Sequence, residues 1–241
     1  MSPKELARAN WRKHFENRAP DHPRNPNAFE VRNAAADAAE ILIYDEIGYW
    51  GVDAKSFATA LAGIEAKNIT VRINSPGGDV FAGLAIYNAL KAHPAAIHTV
   101  VDGLAASAAS FIALAGDTVS SHEASMWMLH KAWALVIGNA DDAREFAATL
   151  DKVDGQLAGI YAGKTDKEKD AILADMSGDF WLTAEEAAAY GLVDTVIPAK
   201  AEKDEDDKAK NAAEDEIAGL LATPNISVMR RRLRVADAEA A

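Results

Sequence analysis

The sequence predicts an α/β fold with a mainly parallel core sheet. Between residues 39 and 198, strand-like runs alternate with helical runs, and strands joined by helices form right-handed βαβ units. Capping residues, glycines and prolines mark the ends of these runs. The chain has 241 residues, 49% of them hydrophobic and 26% charged. That length and balance suit one globular domain with a sizeable core, or two small domains.

Two strands, each followed by a helix, are predicted in the first part of this region. Residues 41–44 are an apolar run typical of a buried strand, and apolar residues alternate with others over 69–73. Asp53 can cap the first helix, and Asp79 can cap the second. The apolar residues of the two helices recur at helical spacing: Phe57, Ala60, Leu61 and Ile64, then Val80, Leu84 and Tyr87.

The alternation continues in the middle of the chain. Residues 97–101 have the pattern of a third strand, and a helix of small residues is predicted over about 106–115. Residues 125–129 form another strand-like run, which ends at His130. These elements continue the parallel arrangement begun by the first two strands.

A long helix, two short helices and a final strand complete the prediction. The long helix has Gly163 at its C-cap. Thr165 and Thr183 each precede a glutamate by three residues, which is the capping-box pattern that starts a helix. Gly191 ends the last helix, and residues 193–197 form the final strand. The apolar stripe of the long helix consists of Phe146, Leu150, Val153, Leu157 and Ile160.

The composition divides the chain into three zones. Residues 1–38 are rich in Arg, Asn, Pro and Ala and have no strand-like run, so we expect an irregular arm or leader. Residues 39–198 form the predicted globular domain. Residues 199–241 begin with a charge-dense stretch that is typical of a flexible tail.

Charge and cysteine content exclude several classes of function. The net charge of −12 argues against a nucleic-acid-binding protein, which usually carries a basic face. The absence of cysteine excludes disulfides, thiolate nucleophiles and cysteine-ligated metals. The N-terminus does not have the pattern of a signal peptide, and no apolar run reaches the roughly 18 residues of a membrane span. We therefore expect a soluble, cytoplasmic protein with no membrane partner.

Ser107 is a candidate nucleophile. It lies within 103–110, where a strand ends and a helix of small residues is expected to begin. Free backbone N–H groups and the positive end of the helix dipole face the first turn of a helix. A hydroxyl there can attack a carbonyl while nearby amides stabilise the oxyanion. The alternative is a tightly packed helix without chemistry.

Three further features can complete such a site. The two glycines of residues 74–78 follow a strand and can expose a backbone N–H, although they also suit a simple tight turn. His130 ends an apolar strand and is the candidate base, or a structural histidine. Asp179 can orient the imidazole, and Asp175 is the local alternative.

Four segments, in this order, resemble the proteolytic subunit of the Clp protease family, including its phage- and prophage-encoded branch of head maturation proteases. They are residues 73–78, 103–107, 126–130 and 179–194. The ordered set is far more specific than any one segment, and the similarity covers residues 39–197. The resemblance implies the α/β spiral of ββα units, shared with crotonases, around a mainly parallel core sheet.

The resemblance also implies the chemistry. Ser107 would be the nucleophile, His130 the base and Asp179 the orienting acid of a serine endopeptidase. The backbone amides of Gly78 and Ala108 would donate to the oxyanion. Ala108 stands where relatives often have a bulkier methionine. Neither a metal nor an organic cofactor is needed for this mechanism.

Assembly and partners follow from the same resemblance. The long helix is similar to the handle by which two rings of subunits interlock, so we expect a homo-oligomer of seven-membered rings stacked in pairs around a chamber. The expected substrates are polypeptides. They would be capsid or scaffold proteins in the phage branch, or chains delivered by an ATP-dependent unfoldase. Residues 1–38 do not resemble the N-terminus of housekeeping members, which favours the phage branch.

Three alternatives stay open at this point. Lys131 directly follows His130 and allows a Ser–Lys mechanism. A crotonase-type enzyme acting on acyl-CoA would use two backbone amides on a similar fold without a Ser–His pair. A catalytically inactive shell component would use the fold alone.

Overall fold

The computed structural model describes Asn25, residues 28–35 and residues 37–199. The predicted tail beyond residue 199 and most of the predicted N-terminal arm lie outside the described residues. The strands are β1 Phe29–Ala35, β2 Ala38–Ile43, β3 Asn68–Ser75, β4 Ala96–Ala106, β5 Thr118–His122, β6 Met126–Leu129, β7 Phe180–Thr183 and β8 Thr195–Ile197. The helices are α1 Ala54–Ala62, α2 Val80–Ala92, α3 Ala108–Ala113, α4 Ala140–Lys164, α5 Lys169–Asp175 and α6 Ala184–Tyr190.

The sheet is mainly parallel, so the predicted class is confirmed. Its strand order over the described residues is β1-β2-β3-β4-β5-β8, and β6 and β7 branch from β4. Strands β2, β3, β4, β5 and β8 pair in parallel, and β1 joins β2 antiparallel at one edge. The first half of β4 pairs with β5, and its second half pairs in parallel with β6. Strand β7 then pairs antiparallel with β6.

Alternate residues of the strands point into the hydrophobic core. Ile69, Val71 and Ile73 of β3 are buried, as their alternation predicts. Burying each such side chain stabilises the fold by about 1.5–3 kcal/mol. Helices α1 and α2 begin at the predicted caps, because the side chains of Asp53 and Asp79 accept hydrogen bonds from backbone amides of the first turn.

Strand β4 is longer than the sequence predicts, and helix α3 is shorter. The strand continues to Ala106 because Leu104 to Ala106 find hydrogen-bonding partners in β6. Helix α3 therefore begins only at Ala108, and Ser107 occupies its N-cap instead of its first turn. The nucleophile candidate thus lies at the junction between the strand and the helix.

Strands β1, β5 and β7 are absent from the prediction. The expectation that residues 1–38 lack a strand is wrong, since Phe29–Ala35 pairs with β2. Strand β5 is rich in serine and threonine, so its sequence lacks the apolar pattern that would predict a buried strand. Ser121 is buried there, and its hydroxyl accepts a 2.9 Å hydrogen bond from Trp127 Nε1.

Helix ends after residue 140 follow the prediction only in part. Helix α4 continues through Gly163 and is capped by Thr165, whose side chain does not start the next helix as predicted. Glu168 is the N-cap of α5. The capping box of Thr183 and the left-handed Gly191 at the end of α6 are both confirmed. No helix in the described part of the chain is long and apolar enough to cross a membrane.

Candidate active site

Ser107 occupies a sharp turn between strand β4 and helix α3. Its φ of 51° is the only positive φ of a non-glycine residue in the described part of the chain. Its backbone N–H donates to Met128 O at 2.8 Å, and its carbonyl accepts from Ser110 N at 3.0 Å. A non-glycine residue keeps such a conformation only where its surroundings enforce it, and such residues cluster at functional sites. The turn places Ser107 directly before the first amides of α3, where backbone N–H groups lack partners within the helix.

His130 lies next to this serine. Parallel pairing puts Ala106 of β4 beside Met128 of β6, and His130 follows directly after β6. His130 Nε2 is 2.7 Å from Ser107 Oγ, which is hydrogen-bonding distance. The His130 side chain is 18% exposed, so most of its surface is covered by protein. The structure therefore brings the candidate nucleophile and the candidate base together.

Asp179 is placed on the opposite side of the imidazole. Strand β7 pairs with β6 so that Phe180 is opposite Leu129, and the residue before β7 therefore faces His130. Asp179 Oδ1 is 3.6 Å from His130 Nδ1 and its side chain is 67% exposed. That distance exceeds a hydrogen bond, but it allows an attractive ion pair once the imidazole is protonated.

The alternative carboxylate, Asp175, has a different partner. Its Oδ2 accepts a 2.6 Å hydrogen bond from Tyr190 OH. The alternative base, Lys131, is exposed, and within the described residues no hydrogen bond or ion pair joins its side chain to Ser107. The geometry at His130 thus favours Asp179 over Asp175 and gives no support to a Ser–Lys pair.

A glycine turn packs against the backbone of Ser107. Gly77 and Gly78 have φ values of 87° and 144°, in the region that favours glycine. A Cβ on Gly77 would lie 2.6 Å from Ala108 N and 2.7 Å from Ser107 Cβ. Gly78 is exposed. Neither Gly78 N–H nor Ala108 N–H has an acceptor among the described residues, so both can donate to an oxyanion.

Ser75 holds this turn in shape, a role that the sequence analysis does not assign. Its hydroxyl donates to Asp45 O at 2.6 Å and accepts from Gly77 N at 3.1 Å. Serine often bonds a backbone amide two residues further along, and this local pattern is the signal that could have revealed the role. Ser75 therefore joins β3 to the turn that faces Ser107.

The Gly77→Ala variant is expected to label with a serine-directed probe at least tenfold more slowly. The added methyl group would lie 2.5 Å from the carbonyl oxygen of Ala106, and the alanine backbone would have to keep a positive φ. Both effects push the turn away from the nucleophile. The control is Gly163→Ala, since a Cβ there meets no atom within 4 Å. If Gly77→Ala labels at the wild-type rate, the turn does not shape the site.

No group of three or more histidine, cysteine or carboxylate side chains in the described region could hold a metal ion. Two other histidines have their own contacts. His122 Nε2 is 3.4 Å from Asp102 Oδ1, and His98 Nδ1 contacts Thr118 Oγ1. His130 is therefore the histidine placed at Ser107.

Known proteins similar to this chain share its family and fold. A family model described as Clp protease matches residues 24–200. The ATP-dependent Clp protease proteolytic subunit of Bacteroides fragilis is 36% identical over 133 residues, covering 54% of this chain and 64% of that protein. The subunit of the same name from Deinococcus radiodurans is 35% identical over 150 residues, covering 60% of this chain and 74% of that protein.

The chain thus spans slightly less than two thirds of the length of the Bacteroides relative. Among solved structures, a ClpP1 point mutant from Listeria monocytogenes aligns with a TM-score of 0.59 and 27% identity. That alignment covers 68% of this chain and 93% of the Listeria chain. The predicted Clp protease-like fold is confirmed, and the match over most of the sequence shows that the chain belongs to the Clp protease family.

Proposed function

We propose that this chain is a serine endopeptidase that hydrolyses polypeptides through Ser107, His130 and Asp179. The observation that carries the proposal is the 2.7 Å contact between His130 Nε2 and Ser107 Oγ. It lies beside two amides, those of Gly78 and Ala108, that are free to receive an oxyanion. Membership in the Clp protease family supports the same conclusion.

The proposed reaction is acyl transfer in two steps. His130 Nε2 takes the proton of Ser107 Oγ as that oxygen bonds to the carbonyl carbon of the substrate. The carbonyl oxygen becomes an oxyanion, which accepts hydrogen bonds from Gly78 N–H and Ala108 N–H. The C–N bond then breaks, and His130 gives its proton to the leaving amine. In the second step, His130 takes a proton from water as the water oxygen bonds to the acyl carbon. The bond from that carbon to Ser107 Oγ then breaks, and His130 returns the proton to Oγ. No metal or cofactor takes part.

Asp179 acts on His130 in this proposal. Its carboxylate is 3.6 Å from Nδ1, so the attraction strengthens when the imidazole gains its proton during the first step. Because Asp179 is well exposed, solvent weakens this attraction. We therefore expect Asp179 to contribute less to the rate than Ser107 or His130.

Assembly into stacked pairs of seven-membered rings is the second part of the proposal. Trp133 and Ile137, in the segment after His130, are 79% and 63% exposed in the single chain. Large apolar side chains that are so exposed in the single chain indicate a surface that a partner covers. A chamber formed in this way would admit unfolded polypeptides and exclude folded proteins.

The partners and the location are part of the same proposal. The names of the relatives describe ATP-dependent proteolytic subunits, which makes an ATP-dependent unfoldase in the cytoplasm one candidate partner. Capsid or scaffold proteins are the other candidates, if the chain belongs to the phage branch. The peptidase domain would occupy residues 39–198, between an arm that contributes β1 to the sheet and the charged tail of residues 199–241.

The test uses a fluorophosphonate probe, with intact-mass measurement and peptide mapping, together with hydrolysis of an unfolded protein. The expected result is a single adduct on Ser107 and loss of hydrolysis on labelling. If the chain is not labelled but binds acyl-CoA, the protein is a crotonase-type enzyme and not a peptidase. A chain that neither labels nor hydrolyses nor binds acyl-CoA would be an inactive shell component.

A further inference from the structure

Helix α4 has two buried polar side chains that the proposed reaction does not use. Asp154 is only 5% exposed, and Tyr161 is completely covered. They are seven residues apart, which is two helical turns, so both lie on the inner face of α4. Tyr161 contacts the side chain of Ser110, three residues after Ser107, and Asp154 contacts the backbone of Ala132, two residues after His130.

Tyr161 acts on Ser107 through Ser110. The Ser110 hydroxyl donates to Ser107 O at 2.6 Å, and Ser110 Oγ is 2.7 Å from Tyr161 OH. A serine hydroxyl has one proton, so the Tyr161 hydroxyl must donate to Ser110 Oγ. Burial raises the pKa of Tyr161 far above its ordinary value, which keeps this donor protonated. The result is a hydrogen-bonded chain from α4 to the carbonyl of the nucleophile.

This series of hydrogen bonds ends on Ser107, the residue with the strained backbone conformation. Ser107 has a positive φ, and its carbonyl receives two hydrogen bonds, one from Ser110 N and one from Ser110 Oγ. Both bonds fix the orientation of the Ser107 peptide group and hence the direction of its side chain. Tyr161 fixes the second of these donors in place.

Asp154 acts on the segment that follows His130. Its Oδ1 accepts a 2.8 Å hydrogen bond from Ala132 N, and the preceding amide, Lys131 N, donates to Met176 O at 3.0 Å. The two residues after His130 are therefore held between α4 and the end of α5. Burying a carboxylate costs free energy unless it accepts hydrogen bonds, so the bond from Ala132 N stabilises Asp154 in this position.

We propose that Asp154 and Tyr161 are positioning residues, which together set the separation and orientation of Ser107 and His130. Helix α4 is the common support: one of its side chains fixes the strand end that carries the base, and the other fixes the turn that carries the nucleophile. The inference rests on the proposed peptidase function. It adds that the reactivity of Ser107 depends on two side chains that contact neither the substrate nor the reacting atoms.

The experiment measures the maximal rate constant for fluorophosphonate labelling of Ser107, the half-saturating probe concentration and the melting temperature, using the full chain. Tyr161→Phe removes one hydroxyl and should lower the maximal rate constant about three- to tenfold, because one hydrogen bond is lost. The half-saturating concentration should not change. Ser110→Ala should have at least the same effect, and the double variant should label no more slowly than Ser110→Ala alone, because Tyr161 acts through Ser110.

Asp154 is tested with a conservative pair. Asp154→Ala removes the acceptor for Ala132 N and should slow labelling about tenfold, whereas Asp154→Asn keeps an oxygen there and should restore most of the rate. Asp151→Asn, on an exposed position of the same helix, is the control and should label at the wild-type rate.

The outcomes separate this inference from the proposed function. A wild-type chain that does not label at Ser107 overturns the function. A wild type that labels at Ser107, with Tyr161→Phe and Asp154→Ala both labelling at the wild-type rate, overturns the positioning role and leaves the function standing. A lower melting temperature with an unchanged maximal rate constant also overturns it, because the two residues would then only stabilise the fold.

Discussion

Replacing Ser107 with alanine is expected to abolish labelling by the serine-directed probe and to lower kcat for peptide hydrolysis by roughly 10⁴- to 10⁶-fold. The variant keeps the imidazole and the two amides proposed to receive the oxyanion, but it has no oxygen to form the proposed acyl-enzyme. Its fold should be intact, because alanine fits the small-residue turn and the main-chain hydrogen bonds of residue 107 are retained. Single-turnover hydrolysis of a fluorogenic peptide measures the loss.

Matched variants show whether this loss is specific to the nucleophile. His130→Ala should cost nearly as much, since nucleophile and base act as a unit. Asp179→Asn should cost less, because the 3.6 Å contact is loose and exposed. Ser56→Ala, at an exposed position of α1, should leave the rate unchanged. If Ser110→Ala reduced hydrolysis as much as Ser107→Ala, the assignment of Ser107 would be wrong.

The sequence predicts those strands whose burial appears as a repeat of apolar residues. Strand β3 is an example, because Ile69, Val71 and Ile73 alternate and all face the core. Strand β5 shows the limit. Its Ser120 and Ser121 are buried where β5 pairs with β4 and β8, which lie elsewhere in the sequence. Polar residues that are satisfied by tertiary contacts carry no periodic signal.

The order of the site residues can be read from the sequence, but their distances cannot. The 2.7 Å contact of Ser107 and His130 depends on the pairing of β4 with β6, and the looser position of Asp179 depends on the pairing of β6 with β7. Tyr161 and Asp154 were not predicted, because their partners lie 51 and 22 residues away. Such long-range contacts exist only once the chain has folded.

The apolar stripe of α4 also divides in a way that the sequence does not reveal. Val153 and Leu157 are buried in the core of this same chain, so this half of the stripe needs no second subunit to cover it. Phe146 and Leu150, in the first half of α4, are only half-buried. Like the exposed apolar side chains among residues 133–137, they are apolar groups that a second subunit can cover.

Leu150→Asp is therefore expected to break the wild-type assembly into smaller species and to remove most of its activity. Burying a leucine contributes about 1.5–3 kcal/mol, and a buried unpaired carboxylate reverses that gain in every subunit of a ring. Leu157→Asp is unsuitable because it would unfold the core. Ala148→Asp places the same charge on an exposed position nearly opposite Leu150 on the helix and should keep the wild-type assembly. Sedimentation velocity with parallel peptidase assays measures both. A wild-type chain that sediments as an active monomer at micromolar concentration would refute the assembly, and the half-buried residues of α4 would then be ordinary surface.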